Sequence, residues 1–556
     1  MKIESRATYI AWRFYLILAL VILVALALVV RVFDLTILNQ HFLKKQGDNR
    51  VLRMVNTPAF RGMILDRNGI PLAVSTTVYS AWMNPKELVP TKSTVASLAR
   101  LLKITPVELA SDVKAKQKKM REFAYLKRGL SPEVANQIKA LNIPGLYTQE
   151  ASHRYYPEGE MMAQVIGFTN VDDNGQEGLE LAYDRFLRGE PGKKWVIKDR
   201  LGRVISDVKQ VQEQVAGKDL TLSLDRRIQY LAYRELLNAV TKTQAASGSV
   251  VVLDARTGEV LAMVNQPSFN PNNRTGHIIG ALRNRAVTDT FEPGSTIKAF
   301  SMASAMETGK FHPDTVIDTD PGWMRVGRNV VKDEHNNGPL TVTEIMQKSS
   351  NVGVTKMVLG VQPDQLWRLL SRVGFGEITG IGFPGEQSGS LVRHHPWGAF
   401  TLATLAFGYG LSVTTLQLAR AYSVLANDGI RRPVSLLKLA NAPAGDAVMN
   451  AKVAQQMLGL LESVVMRKGT GHLARIPGYR VAGKTGTARM AGLHGYQKQY
   501  VASFVGIAPV SQPRLIVAVV MNDVRGKRIL GGQIASPVFE KIMEESLRIL
   551  NVPPDA

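Results

Sequence analysis

A single run of apolar residues near the N-terminus sets the strongest limit on how this chain folds. Every residue from Phe14 to Val30 is apolar or aromatic, and Arg13 and Arg31 flank the run. A membrane-spanning helix needs roughly 17 to 25 such residues, whereas a cleaved signal peptide has an apolar region of about 7 to 15. The run therefore predicts an uncleaved transmembrane helix over residues 14–33, after a short tail over residues 1–13.

Two features of the anchor leave alternatives open. The small residues of Ala25-Leu26-Ala27 keep cleavage possible. Positive charges lie on both sides of the run, so the charge rule does not decide the orientation of the helix. No second uninterrupted run of spanning length follows, and we expect the rest of the chain to fold on one side of the membrane.

Length and composition limit the remaining possibilities. A chain of 556 residues exceeds one ordinary core and indicates two or more domains. The absence of cysteine excludes disulfides, thiolate metal sites and a cysteine nucleophile. The net charge of +22 raises the question of nucleic acid. However, the basic residues are spread along the chain without a recognition motif, so we expect attraction to an anionic membrane or polymer instead.

Three short motifs occur in one order and carry the chemistry. Lys484-Thr485-Gly486 is the only Lys-Thr-Gly in the chain, and it follows Ser349-x-Asn351 and Ser295-x-x-Lys298. Each of the two serine motifs alone is weak evidence for a catalytic site, because Ser-x-x-Lys and Ser-x-Asn both occur elsewhere in the chain. Only Ser295 follows a Pro-Gly pair and opens an apolar stretch, which predicts a helix that places Lys298 one turn on and on the same face.

The chain divides into two regions after the anchor. Residues 50–219 carry turns and charge but none of the three motifs, and we expect them to form a separate N-terminal domain. Arg61–Gly69, Arg154–Pro157 and Gly178–Glu180 stand out there, and we interpret their charged residues as buried salt bridges rather than catalytic groups. A second domain then covers residues 220–556.

The second domain has the pattern of a sheet flanked by helices. Ser249–Leu253 and Glu259–Val264 are β-branched runs joined by a turn, which predicts a hairpin. Val501–Ala508 and Leu515–Met521 predict two late strands, and we expect the first and last strands to lie close in space. A helix-rich middle over residues 340–426 contains Ser349. The predicted fold class is mixed α/β.

The motifs and their surroundings resemble one family, the class B penicillin-binding proteins. The resemblance covers nearly the whole chain after residue 60 and includes Asn284–Asp289, Phe407–Gly410 and Gly478–Gly483 before the Lys-Thr-Gly. It implies a serine β-lactamase-like transpeptidase domain and an elongated N-terminal α+β pedestal domain of the dimerisation type. Phe291-Glu292-Pro293-Gly294-Ser295 resembles the division-specific, septal branch.

The resemblance implies a serine-type acyl transfer without metal or cofactor. Neutral Lys298 would activate the Ser295 hydroxyl, and this requires a lowered pKa, which burial and the nearby Lys484 would supply. Ser349 would relay a proton to the leaving amine, and Asn351 would hold Lys298 and the substrate amide.

Substrate binding is expected along the Lys-Thr-Gly strand. The backbone amides of Ser295 and Thr487 would form the oxyanion hole, and the hydroxyls of Thr485 and Thr487 with Lys484 would bind a terminal carboxylate. Gly486 would let the substrate backbone lie close to an edge strand.

The family also implies substrate, partners and compartment. The substrate is the peptidoglycan stem peptide ending in D-Ala-D-Ala, and β-lactams acylate the same serine. The expected partners are the membrane, a polytopic septal glycosyltransferase and other division proteins, with no nucleic acid. The expected location is the bacterial inner membrane, with the tail over residues 1–13 in the cytoplasm and the catalytic domain in the periplasm.

Several alternatives stay open at this stage. A D,D-carboxypeptidase or β-lactamase uses the same motifs with water as the acceptor, and a β-lactam sensor or division scaffold keeps the fold. A Ser-His mechanism through His472 or His494 is disfavoured because Lys298 already supplies the base. Septal members usually carry an aromatic pair where this chain has Ile529-Leu530, which indicates an altered inhibitor-binding wall.

Overall fold

The computed structural model describes residues 4–57, 59–118, 123–198, 204–275, 279–394, 396–492, 495–525 and 529–556. His494, the second histidine of the Ser-His alternative, lies outside them.

The helices of these ranges are, in chain order, α1 (Glu4–Phe33), α2 (Gln40–Val51), α3 (Lys92–Leu102), α4 (Pro106–Gln117), α5 (Pro132–Ala140), α6 (Ala163–Ile166), α7 (Gly178–Ala182), α8 (Asp184–Arg188), α9 (Arg226–Thr243), α10 (Arg285–Thr288), α11 (Lys298–Met306), α12 (Val342–Lys348), α13 (Asn351–Leu359), α14 (Asp364–Arg372), α15 (Ala399–Ala406), α16 (Thr415–Ala426), α17 (Ala451–Val465) and α18 (Gly531–Ile549).

The strands are, in the same order, β1 (Leu52–Thr57), β2 (Ile64–Leu65), β3 (Pro71–Met83), β4 (Ala124–Leu130), β5 (Leu146–Tyr155), β6 (Phe168–Thr169), β7 (Gly175–Glu177), β8 (Gly192–Lys198), β9 (Val204–Gln212), β10 (Leu220–Thr221), β11 (Ser247–Asp254), β12 (Val260–Gln266), β13 (Val316–Asp318), β14 (Trp323–Val326), β15 (Asn329–Lys332), β16 (Pro339–Thr341), β17 (Ile430–Arg431), β18 (Asp446–Ala447), β19 (Ala482–Gly492), β20 (Gly495–Ala508) and β21 (Leu515–Asn522).

One helix of the described chain is long and apolar enough to cross a membrane. It covers Trp12–Leu38, with α1 continuing into a π-helical turn at Asp34–Leu38. Its apolar side chains, from Phe14 to Leu38, are among the most exposed in the protein. An exposed apolar helix of this length is suited to a lipid environment.

The described residues form two compact units. The first contains residues 1–59, 79–151 and 189–216, and the second contains residues 60–78, 152–188 and 217–556. The first unit holds a sheet in the order β1-β8-β9 and a small core in which Leu98 and Leu102 of α3 pack with Leu109 of α4. Each unit is made of several segments of the chain, whereas the sequence predicts a single boundary between residues 219 and 220. That boundary stays a prediction.

Buried ion pairs hold the early segments of the second unit together. Glu180 accepts from Arg61 at 2.7 Å and from Arg154 at 2.7 Å, and the three side chains are at most 1% exposed. Asp184 adds a further bond to Arg61 at 2.8 Å. The prediction that these charged residues form buried salt bridges is therefore confirmed.

A five-stranded antiparallel sheet forms the centre of the second unit, in the order β12-β11-β21-β20-β19. The predicted hairpin is β11-β12, and β11 also pairs with β21, so the first and last strands are neighbours as expected. β19, which carries the Lys-Thr-Gly, lies at the edge of the sheet.

Both faces of this sheet are buried, which explains its continuous apolar strands. In β11, Val250 and Val252 pack in the core that includes α9 and α18, whereas Val251 and Leu253 pack in the core that includes α16 and α17. Successive side chains of a strand point to opposite faces, so one strand serves two cores. The mixed α/β class predicted from the sequence is confirmed.

Candidate active site

The predicted nucleophile lies at the start of a buried helix. Ser295 is the second residue of a 3-10 turn at Gly294–Ile297, which continues directly into α11. Every residue of α11 is buried, including Lys298 at its first position. Tyr422 fixes the turn from behind, since its hydroxyl donates to the Thr296 carbonyl at 2.7 Å. Ser295 itself stays partly exposed.

Lys298 is surrounded by acceptors from the second motif. Its Nζ donates to the Ser349 carbonyl oxygen at 2.5 Å, to Ser349 Oγ at 3.2 Å and to Asn351 Oδ1 at 2.7 Å. Ser349 ends α12 in the left-handed region with φ +59°, and Asn351 begins α13. The backbone turn at Ser349–Asn351 therefore points both side chains at Lys298 Nζ.

A second buried lysine reaches the same serine. Lys484 Nζ donates to Ser349 Oγ at 3.0 Å, and the side chains of Lys484 and Lys298 have no exposed surface. Ser349 therefore lies between two amines, one from α11 and one from β19. Two ammonium groups so close together and so deeply buried cannot both remain charged without a large cost.

The electrostatics follow from this burial. Desolvation lowers the pKa of Lys298 to about 7, although the carboxylates of Asp333 and Glu334 act to raise it. Desolvation and the positive charge of Lys298 lower the pKa of Lys484 well below its ordinary value. At neutral pH a large share of Lys298 is therefore unprotonated, which is the state that can accept a proton.

Asp333 is a residue that the sequence analysis missed. Its carboxylate accepts from the amides of Asn351 at 2.5 Å and Val352 at 2.9 Å, and from the Ser350 hydroxyl at 2.5 Å. It thereby satisfies the free amides in the first turn of α13. No sequence motif predicts this contact, because Asp333 follows β15 and is 18 residues from Asn351.

The 3-10 turn at Gly294–Ile297, called the serine turn below, is in close contact with the edge strand β19. A Cβ on Gly294 would lie 3.3 Å from the Thr487 carbonyl oxygen, and one on Gly486 would lie 3.0 Å from the Pro293 carbonyl oxygen. The structure thus brings together the backbone of Ser295 and Thr487. The Thr487 hydroxyl also accepts from the Gly531 amide at 3.0 Å, and Thr485 Oγ1 lies 3.1 Å from Thr470 Oγ1.

A second set of contacts that the sequence did not reveal surrounds the turn. Glu292 Oε1 accepts from the Gly410 amide at 2.9 Å and from the Tyr496 hydroxyl at 3.1 Å. Tyr496 packs edge-on against Tyr409 with 5.3 Å between ring centroids. The pKa of Tyr496 is raised to about 12, mainly by burial and secondly by the negative charge of Glu292. The hairpin of β19 and β20 is therefore fastened to the serine turn.

Two further features named in the sequence analysis are His472 and the Ile529-Leu530 pair. His472 is exposed in a short 3-10 helix, and its Nδ1 is 3.3 Å from the Gly469 carbonyl oxygen. Leu530, of the pair that departs from the family pattern, is 40% exposed just before α18. Leu530 directly precedes Gly531, whose amide donates to the Thr487 hydroxyl. The altered inhibitor-binding wall stays a prediction.

Comparison with known proteins identifies the family and agrees with the fold. The penicillin binding protein transpeptidase domain matches residues 248–544, and the penicillin-binding protein dimerisation domain matches residues 56–222. The peptidoglycan D,D-transpeptidase FtsI of Escherichia coli K12 is 43% identical over 559 residues, covering 100% of this chain and 94% of the relative. The probable peptidoglycan D,D-transpeptidase PbpC of Pseudomonas aeruginosa is 42% identical, covering 98% and 96%.

Solved structures extend the comparison. Penicillin binding protein 3 from Mycobacterium tuberculosis, in complex with aztreonam, has a TM-score of 0.71 and 29% identity, and covers 90% of this chain and 98% of that chain. A peptidoglycan synthetase from Bifidobacterium adolescentis has a TM-score of 0.72 and 27% identity, with coverage of 91% and 98%. The chain therefore belongs to the class B penicillin-binding proteins, in the septal branch that resembles penicillin-binding protein 3.

Proposed function

We propose that this protein is a septal peptidoglycan D,D-transpeptidase in which Ser295 forms the acyl-enzyme. The observation that supports the proposal most directly is the convergence of Lys298 and Lys484 on Ser349 Oγ, at 3.2 and 3.0 Å. A shared hydroxyl between two buried amines of lowered pKa can pass a proton in either direction.

The acylation step uses Lys298 as the base. Its neutral amine takes the proton of Ser295 Oγ while that oxygen attacks the carbonyl carbon of the penultimate D-Ala. The amides of Ser295 and Thr487 stabilise the oxyanion, and Ser295 benefits from its place at the start of a helical stretch. The peptide C–N bond then breaks, and the proton reaches the departing amine through Ser349, so free D-Ala leaves.

The second step completes the cross-link. The amine of a neighbouring stem peptide attacks the ester carbonyl, gives up a proton along the same route, and forms a new amide as Ser295 is released. Thr485 and Thr487, with Lys484, hold the terminal carboxylate of the donor before acylation. Asn351, whose Oδ1 binds Lys298 at 2.7 Å, keeps the base in place throughout.

The cellular setting is part of the proposal. The N-terminal helix anchors the protein once in the inner membrane, with residues after 33 in the periplasm, where the substrate is. The partners are a polytopic septal glycosyltransferase and other division proteins. Protease added to intact spheroplasts tests the orientation: we expect digestion of the catalytic unit, whereas full protection would overturn it.

A donor pentapeptide assay with and without an acceptor amine tests the chemistry. We expect D-Ala release with formation of a cross-linked product, and loss of both in Lys298→Met, which keeps the length of the side chain but removes the base. Lys348→Met, at an exposed lysine of the same unit, is the matched control and keeps both. D-Ala release without any cross-link at high acceptor concentration would favour a D,D-carboxypeptidase.

A further inference from the structure

A small hairpin beside the active site has an unusual outer face. β14 and β15 pair antiparallel, with Trp323 opposite Lys332 and Arg325 opposite Val330. The inner face is buried: Val326 and Val331 are 4% and 3% exposed and pack in a cluster with residues of α13 and α15. Because successive residues of a strand alternate, Trp323 and Arg325 of β14, with Val330 and Lys332 of β15, lie on the opposite, outer face.

The outward side chains combine an indole with cations. Trp323 is 46% exposed and Val330 is 42% exposed, and Arg325, Arg328 and Lys332 are all exposed. We call these five residues the hairpin face. An indole exposed to this degree next to arginines is typical of a binding surface, because both residue types are enriched where partners bind.

The charge of the hairpin face is not compensated within the hairpin. Residues 323–332 contain three cations and no Asp or Glu. In the parts of the chain that the structure describes, none of these three cations forms an ion pair. Asp333, the next residue, is engaged by the amides of α13, and the exposed Glu334 follows it. The hairpin face therefore presents three cations that can pair with anionic groups of a ligand, and the carboxylates of Asp333 and Glu334 lie just beyond its end.

The hairpin is fixed to the start of α13, where Asn351 lies. Asn351 Nδ2 donates to the Lys332 carbonyl oxygen at 2.9 Å, and the Asp333 amide donates to the Gly322 carbonyl oxygen at 2.9 Å. A ligand held on the hairpin face therefore has a defined position relative to Asn351. The surface is a rim of the active site rather than a remote patch.

We propose that the hairpin face binds the peptidoglycan strand that is being cross-linked, beyond the peptide in the catalytic groove. This inference rests on the proposed function. Sugar rings of the glycan pack on the Trp323 indole, and carboxylates of neighbouring stem peptides pair with Arg325 and Arg328. Four residues per strand give a length of roughly 13 Å, which fits a narrow polymer better than a protein partner that covers about 800 Å².

Binding of the full-length protein in detergent to purified, uncross-linked peptidoglycan strands tests the proposal. The protein is first acylated with a β-lactam, so that the catalytic groove is occupied and only other contacts are measured. We expect Arg325→Gln/Arg328→Gln and, separately, Trp323→Ala to weaken binding by about fivefold to tenfold. The charge variant should also show a weaker salt dependence than the parent.

The matched control is Arg256→Gln/Arg475→Gln, which removes two exposed arginines of the same unit and should bind as the parent does. Equal loss in the control, or no loss in either hairpin variant, would overturn the proposal. So would hairpin variants that bind the strands normally but no longer retain a division protein. If the parent protein takes no β-lactam, the proposed function fails, and the binding comparison is still made on the unmodified protein.

Discussion

At the scale of residues, the site depends on how burial sets the charge of two lysines. Lys298 lies in α11 and Lys484 lies in β19, yet both side chains reach Ser349. Burial favours the neutral amine, and the carboxylates of Asp333 and Glu334 favour the charged one. The balance leaves the pKa of Lys298 at about 7, within the range in which a base works near neutral pH.

The rate of Ser295 acylation should therefore depend on pH through Lys298. Only the neutral amine accepts the proton, so the rate rises with pH and levels off above an apparent pKa near 7. The measurement is the second-order rate of acylation by a β-lactam between pH 5 and 9, recorded on protein that stays folded across the range. A rate that is constant across this range would contradict the assignment of Lys298 as the base.

Asp333→Asn should shift this pH profile to lower pH. The amide side chain still accepts from the amides of Asn351 and Val352, but its loss of negative charge removes an influence that raises the pKa of Lys298. Asp333→Ala should also slow acylation, because it leaves the amides of Asn351 and Val352 without their acceptor. Glu334→Gln removes the other charge without touching α13 and should move the profile in the same direction, with the rate plateau intact. A shift to higher pH would show that Asp333 acts otherwise.

At the scale of elements, the serine turn is held by the loop that precedes α16. The Gly294 amide donates to the Gly408 carbonyl oxygen at 3.1 Å, and Phe291 pairs with Val413 through two backbone bonds. Gly408 has φ +90°, and a Cβ there would lie 2.0 Å from the Gly294 carbonyl oxygen. The loop therefore approaches Gly294, the residue before Ser295, as closely as its backbone allows.

Gly408→Ala should displace the serine turn and slow acylation by at least tenfold. Gly309→Ala is the control, because Gly309 has a similar φ of +74° but no atom within 4 Å of the added Cβ. Both variants should lose about 1 kcal/mol or more of stability from the strained backbone, whereas only Gly408→Ala should lose acylation. Thermal unfolding and β-lactam acylation measured side by side separate the two effects. Equal acylation in both would contradict the role of this contact.

Local patterns in the sequence were sufficient for the elements that carry the motifs. The Pro-Gly entry and apolar run predicted the helix after Ser295, and β-branched runs predicted β11, β12 and β21. The contacts of Asp333, Glu292 and Tyr496 could not be predicted, because each joins residues at least 17 positions apart and carries no local signature. The same holds for the compact units, in which early segments fold with the C-terminal part of the chain.

At the scale of the whole molecule, a buried network joins segments that are distant in sequence. Arg61, Arg154 and Glu180 come from three separate stretches and meet without solvent. Removing one partner of a buried pair leaves an uncompensated charge and costs about 3 to 5 kcal/mol.

Glu180→Ala should therefore lower the stability of the second unit by an amount in this range, as measured by urea unfolding. The control is Glu544→Ala, which removes a carboxylate that binds the exposed Arg548 at 2.7 Å and should cost less than about 1 kcal/mol. A similar cost for both variants would show that the network contributes no more than a surface pair.

The central claim is that Ser295 forms the acyl-enzyme, and the mass of the intact protein tests it most directly. The full-length protein and Ser295→Ala are each exposed to a β-lactam and measured over time. We expect one adduct on the parent that persists for many minutes and none on the variant. An adduct that survives in Ser295→Ala would contradict the assignment of the nucleophile, and rapid loss of the adduct with release of hydrolysed drug would contradict the transpeptidase in favour of a β-lactamase.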